Sequence, residues 1–431
     1  MKAVFLLVIG LFASVPLSAE VTAPSLIGRA GGESALLKVT VTNPSAFDRH
    51  DVPVVIDLHQ AFGKMAASVQ SATVTAPSLT GRAGGESIAS QLDDLDGDLV
   101  PDELAFVCDV PAMSSTVLDV QFSPIPSNET YPSRTAAFMK VWDRKYRYPY
   151  INAIEYQGRN EPLATYDAIY GHGAQWESEL VGFRVYMDHR QSIDIYGKPT
   201  PQLVLDKTNF YSTREDIAAG LGCDILFAGA CVGAGSFRGY VNEQPTYVDS
   251  VEARGQRIVA SGPVRAIVEV TDKNWYYKGK KLQMRQLYTI YAGHRDVEVD
   301  IRLVGQAIDN ETFCTGVQKI EMNNEGLMDT STGLVGSWGK NVPDKAAEDL
   351  VEGVGLGVCV DGCYLTSKKE DDLNYLTILH PVDGRIRYHL AICALMEKDG
   401  FKESKSWFNW LRQWQAELNQ PCTVKVKRQK R

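Results

Sequence analysis

Apolar and polar side chains alternate from residue 180 to residue 188, and this period of two is typical of a β-strand rather than of a helix. Because successive side chains of a strand point to opposite faces, Arg184, Tyr186 and Asp188 are predicted to share one face. A turn at 189–191 and a second alternation over 192–196 predict a hairpin. The chain is therefore expected to contain a sheet with one apolar face and one polar face.

The same alternation recurs along the chain at 35–43, 52–58, 115–122, 258–270, 283–291 and 297–304. Short strands separated by turns are typical of antiparallel sandwiches. Helical spacing occurs over 404–418, where it indicates a core-facing stripe of Trp407, Trp410, Leu411, Trp414 and Leu418. The predicted fold is mostly β: a large antiparallel β-sandwich with an N-terminal β-sandwich extension and one C-terminal helix.

The first residues have the composition of a cleavable secretory signal peptide. Lys2 precedes an apolar run, and small residues at 18–19 offer a cleavage site. The run is too short to span a bilayer, and no later segment is long and apolar enough to do so. We therefore expect a secreted or periplasmic protein without a membrane span. The predicted organisation is a signal peptide at 1–19, an N-terminal β-sandwich region at 20–125 and a main domain at 126–431.

The overall charge argues against a nucleic-acid ligand, since the net charge is −9 and no basic stripe is present. The basic tail at 425–431 is predicted to be a solvated end. Eight cysteines in a chain of this length are not a disulfide scaffold. The Asp361-Gly362 pair predicts a two-residue hairpin, which would place Cys359 and Cys363 on opposite faces, so that they are free or separately paired thiols rather than bridged to each other.

An acidic loop at 91–103 is the most specific local motif. Hard cations such as calcium take six to eight oxygen ligands, and alternating carboxylates on a tight loop supply them. Gly97 falls at the fourth position from the first ligand rather than the sixth, so the loop departs from the EF-hand pattern. The alternative is an exposed acidic turn. The predicted structural calcium ligands are Asp94, Asp96, Asp98 and Asp102, with Glu103 beside them.

The segment 172–198 carries the densest set of groups that can move protons or hold a sugar. A solvated sheet face is the alternative, but such a face is usually rich in Lys, Glu, Thr and Ser, whereas this one is rich in Arg, Tyr, Asp and His. The candidate catalytic residues are His172, Glu177, Arg184, Tyr186, Asp188 and His189. The candidate substrate-binding residues are Trp176, Arg190, Asp194, Tyr196, His294 and Arg295.

Several of these segments also carry a family resemblance, which covers residues 35–420. They are 90–98 (SQLDDLDGD), 101–104 (PDEL), 176–179 (WESE), 193–198 (IDIYGK), 262–265 (GPVR) and 291–294 (YAGH). The chain resembles domain-of-unknown-function family 4861, found in polysaccharide-degrading Bacteroidetes. The resemblance implies a supersandwich similar to galactose mutarotase and a place in carbohydrate breakdown. It departs at 74–87, which repeats the peptide at 21–34.

The first functional hypothesis is an enzyme that acts on acidic, uronic-acid-containing polysaccharides or oligosaccharides, with a lyase favoured over a hydrolase. β-Elimination needs a cation to neutralise the carboxylate and a base to take the C5 proton. Arg184 or Arg190 would supply the first, and His172, His189 or Tyr186 the second. Hydrolysis would instead need two carboxylates about 5–10 Å apart, for which Glu177 with Asp188 or Asp194 are the candidates.

Two further classes remain open from the sequence. A non-catalytic glycan-binding protein would stack sugar rings on aromatic side chains such as Trp176, Trp275, Tyr276 and Tyr277. A mutarotase-like or epimerase-like enzyme would use a His and a Glu on a free sugar. That last hypothesis rests on fold analogy, and a fold alone does not imply a function.

Overall fold

A computed structural model describes residues 35–76, 85–143, 145, 147–158, 167–329, 332–341 and 352–428. Within these residues the chain is mostly β, and all its strand pairings are antiparallel, as the sequence predicts. We number the strands β1–β28 and the α-helices α1–α4 in chain order. The helices are α1 (Leu58–Phe62), α2 (Leu205–Thr208), α3 (Arg214–Ala218) and α4 (Ser404–Asn419), with 3-10 turns at Gly63–Ser68 and Ile308–Asn310.

Two sheets form an N-terminal module with its own hydrophobic core. One sheet has five strands in the order β28 (Thr423–Arg428), β1 (Ala35–Thr42), β7 (Ser115–Ser123), β3 (Ser71–Ala76) and β4 (Glu86–Ile88). The other has three, in the order β2 (Arg49–Asp57), β6 (Glu103–Val110) and β5 (Ser90–Asp93). Inward-facing side chains such as Val39, Val54, Phe106 and Val120 are fully buried between them.

The basic tail differs from the solvated end predicted for it. Residues 423–428 form β28, which pairs with β1 so that Leu37 lies opposite Arg428. The strand alternates, because Val424 and Val426 pack against the N-terminal core while the intervening lysines are exposed. The tail joins the sheet because the apolar side chains between its charged residues can pack against the N-terminal core. Residues 429–431 lie outside the described chain.

A nine-stranded sheet is the centre of the rest of the protein. Its order is β10 (Ala153–Tyr156), β17 (Ala253–Ser261), β18 (Arg265–Tyr277), β19 (Lys280–Tyr291), β20 (Asp296–Val304), β27 (Arg385–Ala394), β24 (Glu352–Val360), β23 (Leu334–Asn341) and β22 (Met322–Met328). Neighbouring residues of β24 face opposite sides: Val358 lies in the main core and Cys359 in the cluster beneath α4. Helix α4 buries Trp407, Leu411 and Trp414 there, as its periodicity predicts.

Two smaller sheets cover the other face of the nine-stranded sheet. The first is the cleft sheet, with the order β14 (Cys223–Asp224), β13 (Ile193–Gly197), β12 (Gly182–Tyr186), β11 (Ile169–Ser178), β8 (Thr135–Val141) and β9 (Tyr150–Ile151). The second has the order β16 (Gln244–Thr246), β15 (Arg238–Val241), β21 (Phe313–Gln318), β26 (Asn374–Leu379) and β25 (Leu365–Glu370). The fold is thus a large β-sandwich.

The Asp361-Gly362 turn forms but does not make the predicted hairpin. Tyr364 N–H donates to the Asp361 carbonyl, which closes the turn. The strands on either side belong to different sheets, since β24 pairs with β23 and β27 whereas β25 pairs with β26. Cys359 is buried and Cys363 is exposed, and all eight cysteines, each within the described chain, are free thiols.

The repeated peptide is described only in part, since its first copy at 21–34 lies outside the described residues. In the second copy, the residues at the two ends form β3 and β4, and Val74 pairs with Ile88. Among the residues that the structure describes, there is no helix with the length and apolarity needed to cross a bilayer.

Candidate functional site

A cleft of about 460 Å³ opens at the edge of the cleft sheet. Side chains from β11, β12 and β13 line one side, and the irregular segment 210–229 lines the other. The lining residues include His172, Arg184, Tyr186, Arg190, Ser192, Asp194, Phe210, Tyr211, Asp224 and Phe227. The predicted hairpin is confirmed, because β12 and β13 pair in antiparallel register. Five of the twelve catalytic and binding residues predicted from the sequence therefore meet in one cavity.

A buried ion pair forms the floor of the cleft. Arg184 on β12 lies directly opposite Asp194 on β13, and its Nη2 atom is 2.5 Å from the Asp194 Oδ2 atom. A second carboxylate oxygen, on Asp224, lies 3.7 Å from the same nitrogen. Burial of Arg184 opposes its charged form, but these carboxylates outweigh it and raise its pKa. The guanidinium therefore stays charged in a site sheltered from solvent.

Tyr186 follows on the same face of β12, as the alternation predicts. The Arg184 Nη2 atom donates to its hydroxyl oxygen at 3.3 Å. The guanidinium carbons of Arg184 and Arg190 lie 5.0 and 4.8 Å from the centre of its ring. Such distances are those of cation–π contacts. The phenol is thus held between two cations at the wall of the cleft.

Asp188 does not join Arg184 and Tyr186 on the cleft face. The strand ends at Tyr186, so the alternation no longer sets the direction of Asp188. Its side chain is buried and accepts hydrogen bonds from the backbone N–H of Arg190 at 2.9 Å and from the Arg190 Nε atom at 2.7 Å. Asp188 therefore shapes the turn and orients Arg190, whose one-third exposed side chain lines the cleft.

His172 is placed in the cleft by an irregularity of β11. The pairing of β11 with β8 shifts register between Tyr170 and Gln175, which is a bulge, and bulges re-aim side chains. The His172 backbone has a positive φ of 64°, and Gly171 before it has 83°. Positive φ is uncommon for a residue with a side chain and often marks a functional site. The Nδ1 atom of His172 lies 3.8 Å from the Asp167 carboxylate.

The other predicted histidine of this segment, His189, is not among the residues that line the cleft. Its ring packs edge-on against Tyr247, with 5.2 Å between ring centres. Burial lowers the pKa of His189, and nearby Asp188 offsets only part of that effect. His189 is therefore a neutral packing residue next to the cleft.

Glu177 is a structural residue, which corrects its prediction as a catalytic acid. Its side chain is fully buried, and its Oε2 atom lies 2.5 Å from the Lys198 Nζ atom. The backbone N–H groups of Val204 and Leu205 also donate to this carboxylate, at 2.9–3.0 Å. Every oxygen of Glu177 is thus occupied by the protein. It ties the end of β11 to the segment that leads into α2.

Trp176 and Tyr196 belong to hydrophobic cores and do not line the cleft as predicted. Trp176 is fully buried and stacks on Phe183, with 5.6 Å between ring centres. Tyr196 is also fully buried, and its hydroxyl lies 2.5 Å from the Ser212 hydroxyl. Strand β11 is buried on both faces over its second half, so parity there does not separate core from cleft.

His294 and Arg295 lie in the turn after β19, away from the cleft-lining residues. The Nε2 atom of His294 is 2.9 Å from the Asp51 carbonyl oxygen of the N-terminal module, and its Nδ1 atom is 3.0 Å from Asp296. Arg295 pairs with Glu397 at 3.0 Å and lies over the ring of Phe401. Both residues hold parts of the fold together, and neither lines the cleft that was predicted to bind substrate.

The acidic loop between β5 and β6 brings three of its four predicted ligands together. One carboxylate oxygen each of Asp94, Asp96 and Asp102 lie within 4.8 Å of one another, whereas Asp98 lies outside this group. A hydrogen bond from Gly97 N–H lowers the pKa of Asp94, so the carboxylate is ionised. The group offers the oxygen ligands that calcium prefers.

Comparison with known proteins bears on the identity of this chain. The family model described as "Domain of unknown function (DUF4861)" matches residues 41–424. The chain belongs to this family. No curated protein matches it. Among solved structures, it is similar to a protein in glycosyl hydrolase family 38 from Enterococcus faecalis, with 10% identity, a TM-score of 0.45 and coverage of 91% of this chain and 47% of that one.

A second solved structure, an α-mannosidase from Enterococcus faecalis V583, is also similar, with 10% identity and a TM-score of 0.42. The match covers 91% of this chain and 46% of the α-mannosidase. This DUF4861 member therefore spans about half the length of either protein.

Several motifs that carried the family resemblance meet at the contact between the N-terminal module and the nine-stranded sheet. Gln91 accepts from the backbone N–H groups of Val264 and Arg265 at 2.8 and 2.9 Å. The Arg265 side chain donates to Asp93 at 2.6 Å and to Glu103 at 2.7 Å. These residues of the DUF4861 member therefore fasten two parts of the fold rather than line the cleft.

His294, which also contacts the N-terminal module, is expected to make the stability of the protein depend on pH. Burial of His294 opposes its charged form, but Asp296 outweighs it and raises the pKa to about 9, above the ordinary value of 6.5. The imidazolium therefore contributes stability that is full below about pH 6.5 and is lost as pH rises toward about 9. We expect the free energy of unfolding to fall by about 1–2 kcal/mol between pH 6.5 and 8.

Urea unfolding measured across that pH window checks this expectation. The His294→Gln variant keeps a polar side chain that does not titrate, so its stability is expected to change less over the same window. A wild-type protein whose stability rises from pH 6.5 to 8, or a variant with an unchanged slope, would contradict the assignment.

The far wall of the cleft was not predicted from the sequence. Phe210, Tyr211 and Phe227 come from loops without a regular period, and Asp224 comes from the two-residue strand β14. Gly229, in a glycine-rich run at 220–239, also lines the cleft. Nothing in the local pattern says which of its neighbours face the cavity.

Proposed function

We propose that this DUF4861 member is a secreted carbohydrate-active enzyme that cleaves acidic glycans by β-elimination in the cleft. The observation that carries the proposal is the meeting of two guanidinium groups, Arg184 and Arg190, with His172 and Tyr186 around one cavity. Glycan cleavage by elimination needs both kinds of group within reach of one sugar. Residues 1–19, which carry the proposed signal peptide, lie outside the described chain.

The arrangement suits the two demands of the reaction. Arg190 is paired with Asp188 on one side but remains one-third exposed, so its guanidinium can also contact the substrate carboxylate and make the C5 proton more acidic. His172 then takes that proton as a neutral imidazole, or Tyr186 takes it as a phenolate. The electrons of the broken C5–H bond form a C4–C5 double bond, the C4–O bond breaks, and the leaving oxygen takes up a proton from the base that has just been protonated or from water. Arg184, whose charge is already paired, stabilises the negative charge that develops nearby.

Hydrolysis is less well supported by the same geometry. Glu177 is buried in its pair with Lys198 and cannot act as an acid in the cleft. The cleft carboxylates Asp194 and Asp224 both contact the Arg184 guanidinium, at 2.5 and 3.7 Å. Two carboxylates on one guanidinium lie on the same side of the cavity, whereas hydrolysis places them across the bond.

A polysaccharide panel tests the proposal. Pectate and alginate, whose uronic acids are 4-linked in the chain, are incubated with the protein, and the ultraviolet absorbance of a new C4–C5 double bond is followed. We expect absorbance with at least one of them, and a fall of about 10²–10⁴-fold in kcat for His172→Ala if His172 is the base.

The control is His50→Ala, since His50 is 75% exposed and lies in the N-terminal module. Growth of reducing ends without absorbance would replace elimination by hydrolysis. Binding without any product would leave only a glycan-binding protein. Full activity in both His172→Ala and Tyr186→Phe would remove this cleft from the reaction.

We also propose that Asp94, Asp96 and Asp102 hold a structural calcium ion. The loop that carries them is attached to the nine-stranded sheet, because Leu95 accepts a hydrogen bond from Arg257 at 2.8 Å. A cation would relieve the repulsion of three clustered carboxylates. We expect a chelator to lower the melting temperature by several degrees and added calcium to restore it. A melting temperature that is indifferent to both would refute the calcium site.

A further inference from the structure

Aromatic rings continue from the cleft along one side of the cleft sheet. The series begins at Tyr211 in the cleft, passes to Tyr170 with 6.1 Å between ring centres, and reaches Trp142 after a further 4.9 Å. Tyr148 stacks on Tyr170 at 4.1 Å with nearly parallel planes. We call Trp142, Tyr148, Tyr170 and Tyr211 the aromatic wall.

The aromatic wall is held in place by the backbone. Trp142 N–H donates to the Ala168 carbonyl, and Tyr148 N–H donates to the Asp143 carbonyl. Arg147 and Tyr148 both have φ of 57°, a backbone conformation that is uncommon for residues with side chains. Strained backbone that presents a side chain is characteristic of binding sites.

The wall is exposed at both ends, which a packing role does not require. Trp142 is 45% exposed and Tyr211 is 43% exposed. Exposed aromatic clusters mark ligand sites, because covering their apolar surface with a ligand removes it from water, which is favourable. The exposed basic residues Lys145 and Arg147 lie in the same loop as Trp142 and Tyr148. The wall therefore combines flat apolar rings with positive charge, which suits the faces and the carboxylates of an acidic sugar.

We propose that the aromatic wall is a distal subsite, on which the part of an acidic glycan chain outside the cleft stacks its sugar rings. This proposal rests on the proposed function and adds to it the substrate class: a chain that extends beyond the sugars in the cleft. Tyr170 lies between Tyr211 and Trp142, so two aromatic side chains of the wall, Tyr170 and Trp142, follow Tyr211 in the direction away from the cleft. An oligosaccharide of several residues is then a better substrate than a disaccharide.

The test compares oligogalacturonides and oligoalginates of two, four and six residues. In the wild-type protein, kcat/KM and affinity are expected to rise with length. In Trp142→Ala, the ratio of kcat/KM for six residues over two residues is expected to fall by roughly tenfold, since removing a stacking aromatic residue commonly costs that much. Tyr211→Ala is a second variant at an exposed position. The matched control is Leu373→Ala, because Leu373 is an apolar residue with a similar exposure of 47% but lies between β25 and β26, outside the cleft sheet.

The outcomes separate the two proposals. Equal turnover of all lengths by the wild-type protein, or an unchanged length ratio in both wall variants, would overturn the distal subsite and leave elimination in the cleft standing. That result is also the one expected if the wall bound another protein chain instead. Length-dependent binding without turnover would keep the subsite and overturn the enzyme. Absence of binding to either series at every length would overturn both.

Discussion

The Lys198→Met variant is expected to lose about 3–5 kcal/mol of its free energy of unfolding, because it leaves the Glu177 carboxylate buried without its cation. Lys198 is itself fully buried, and its Nζ atom also donates to the carbonyl oxygens of Ser178 and Gln202 at 2.6 and 2.9 Å. Burial lowers the pKa of Lys198, while Glu177 favours its charged form. The backbone groups that bond to each ion thus help to stabilise the buried pair. Removing either charge alone would leave the other buried without its counter-ion. Chemical denaturation measures the loss.

Two further variants make this prediction specific to the pair. The double change Glu177→Gln with Lys198→Met removes both charges, and we expect it to recover much of the lost stability. Lys273→Met breaks the pair with Glu155, in which both side chains are about half exposed, and is expected to cost less than about 1 kcal/mol. A loss in Lys198→Met as small as in Lys273→Met would show that Glu177 is not held as described.

The Arg265→Met variant is expected to cost a similar 3–5 kcal/mol. Arg265 is only 3% exposed, and its loss leaves Asp93, which is 7% exposed, without a cation. It also removes the bond to Glu103 at the far end of the acidic loop. We therefore expect the contact between the N-terminal module and the nine-stranded sheet to weaken, and the midpoint of guanidinium unfolding to fall.

Two other arginine substitutions serve as comparisons for the stability of Arg265→Met. Arg302→Met on β20 replaces an exposed arginine of the same sheet and is expected to change stability by less than about 0.5 kcal/mol. Arg265→Lys keeps the charge but cannot serve both carboxylates in the fixed geometry of a guanidinium, so an intermediate loss is expected. If Arg265→Met were as stable as Arg302→Met, the contact would not depend on this side chain.

The local patterns of the sequence predicted strands well where one face was buried. In β12, Phe183 and Val185 point to the core while Arg184 and Tyr186 point to the cleft, as the period of two requires. The helix α4 follows its tryptophan spacing in the same way. Where a strand is buried on both sides, as in the second half of β11, the period carries no information, and Trp176 was assigned to the wrong surface.

Contacts between distant segments account for the other differences. The Asp361-Gly362 pair does make a turn, but which strands pair across it is decided by the sheets that receive them. His172 enters the cleft because of a bulge that no spacing rule announces. Phe210 follows the segment that Glu177 anchors through Val204 and Leu205, and Phe227 follows β14 at the edge of the cleft sheet. The residue types of β12 identified it as a cleft strand from the sequence. Which loop residues line the cleft opposite β12 depends on tertiary contacts.

The pairing of β28 with β1 determines when, during synthesis, the five-stranded sheet can finish folding. Strand β1 is among the first described segments to leave the ribosome and β28 is the last, so the five-stranded sheet must wait for nearly the entire chain before its edge is closed. Arg49 likewise waits for the Glu417 carbonyl. Domains generally fold as units during synthesis, starting from the N-terminal end. The N-terminal module is therefore completed only after the strands of the nine-stranded sheet have been synthesised, and one edge of β1 stays open until then.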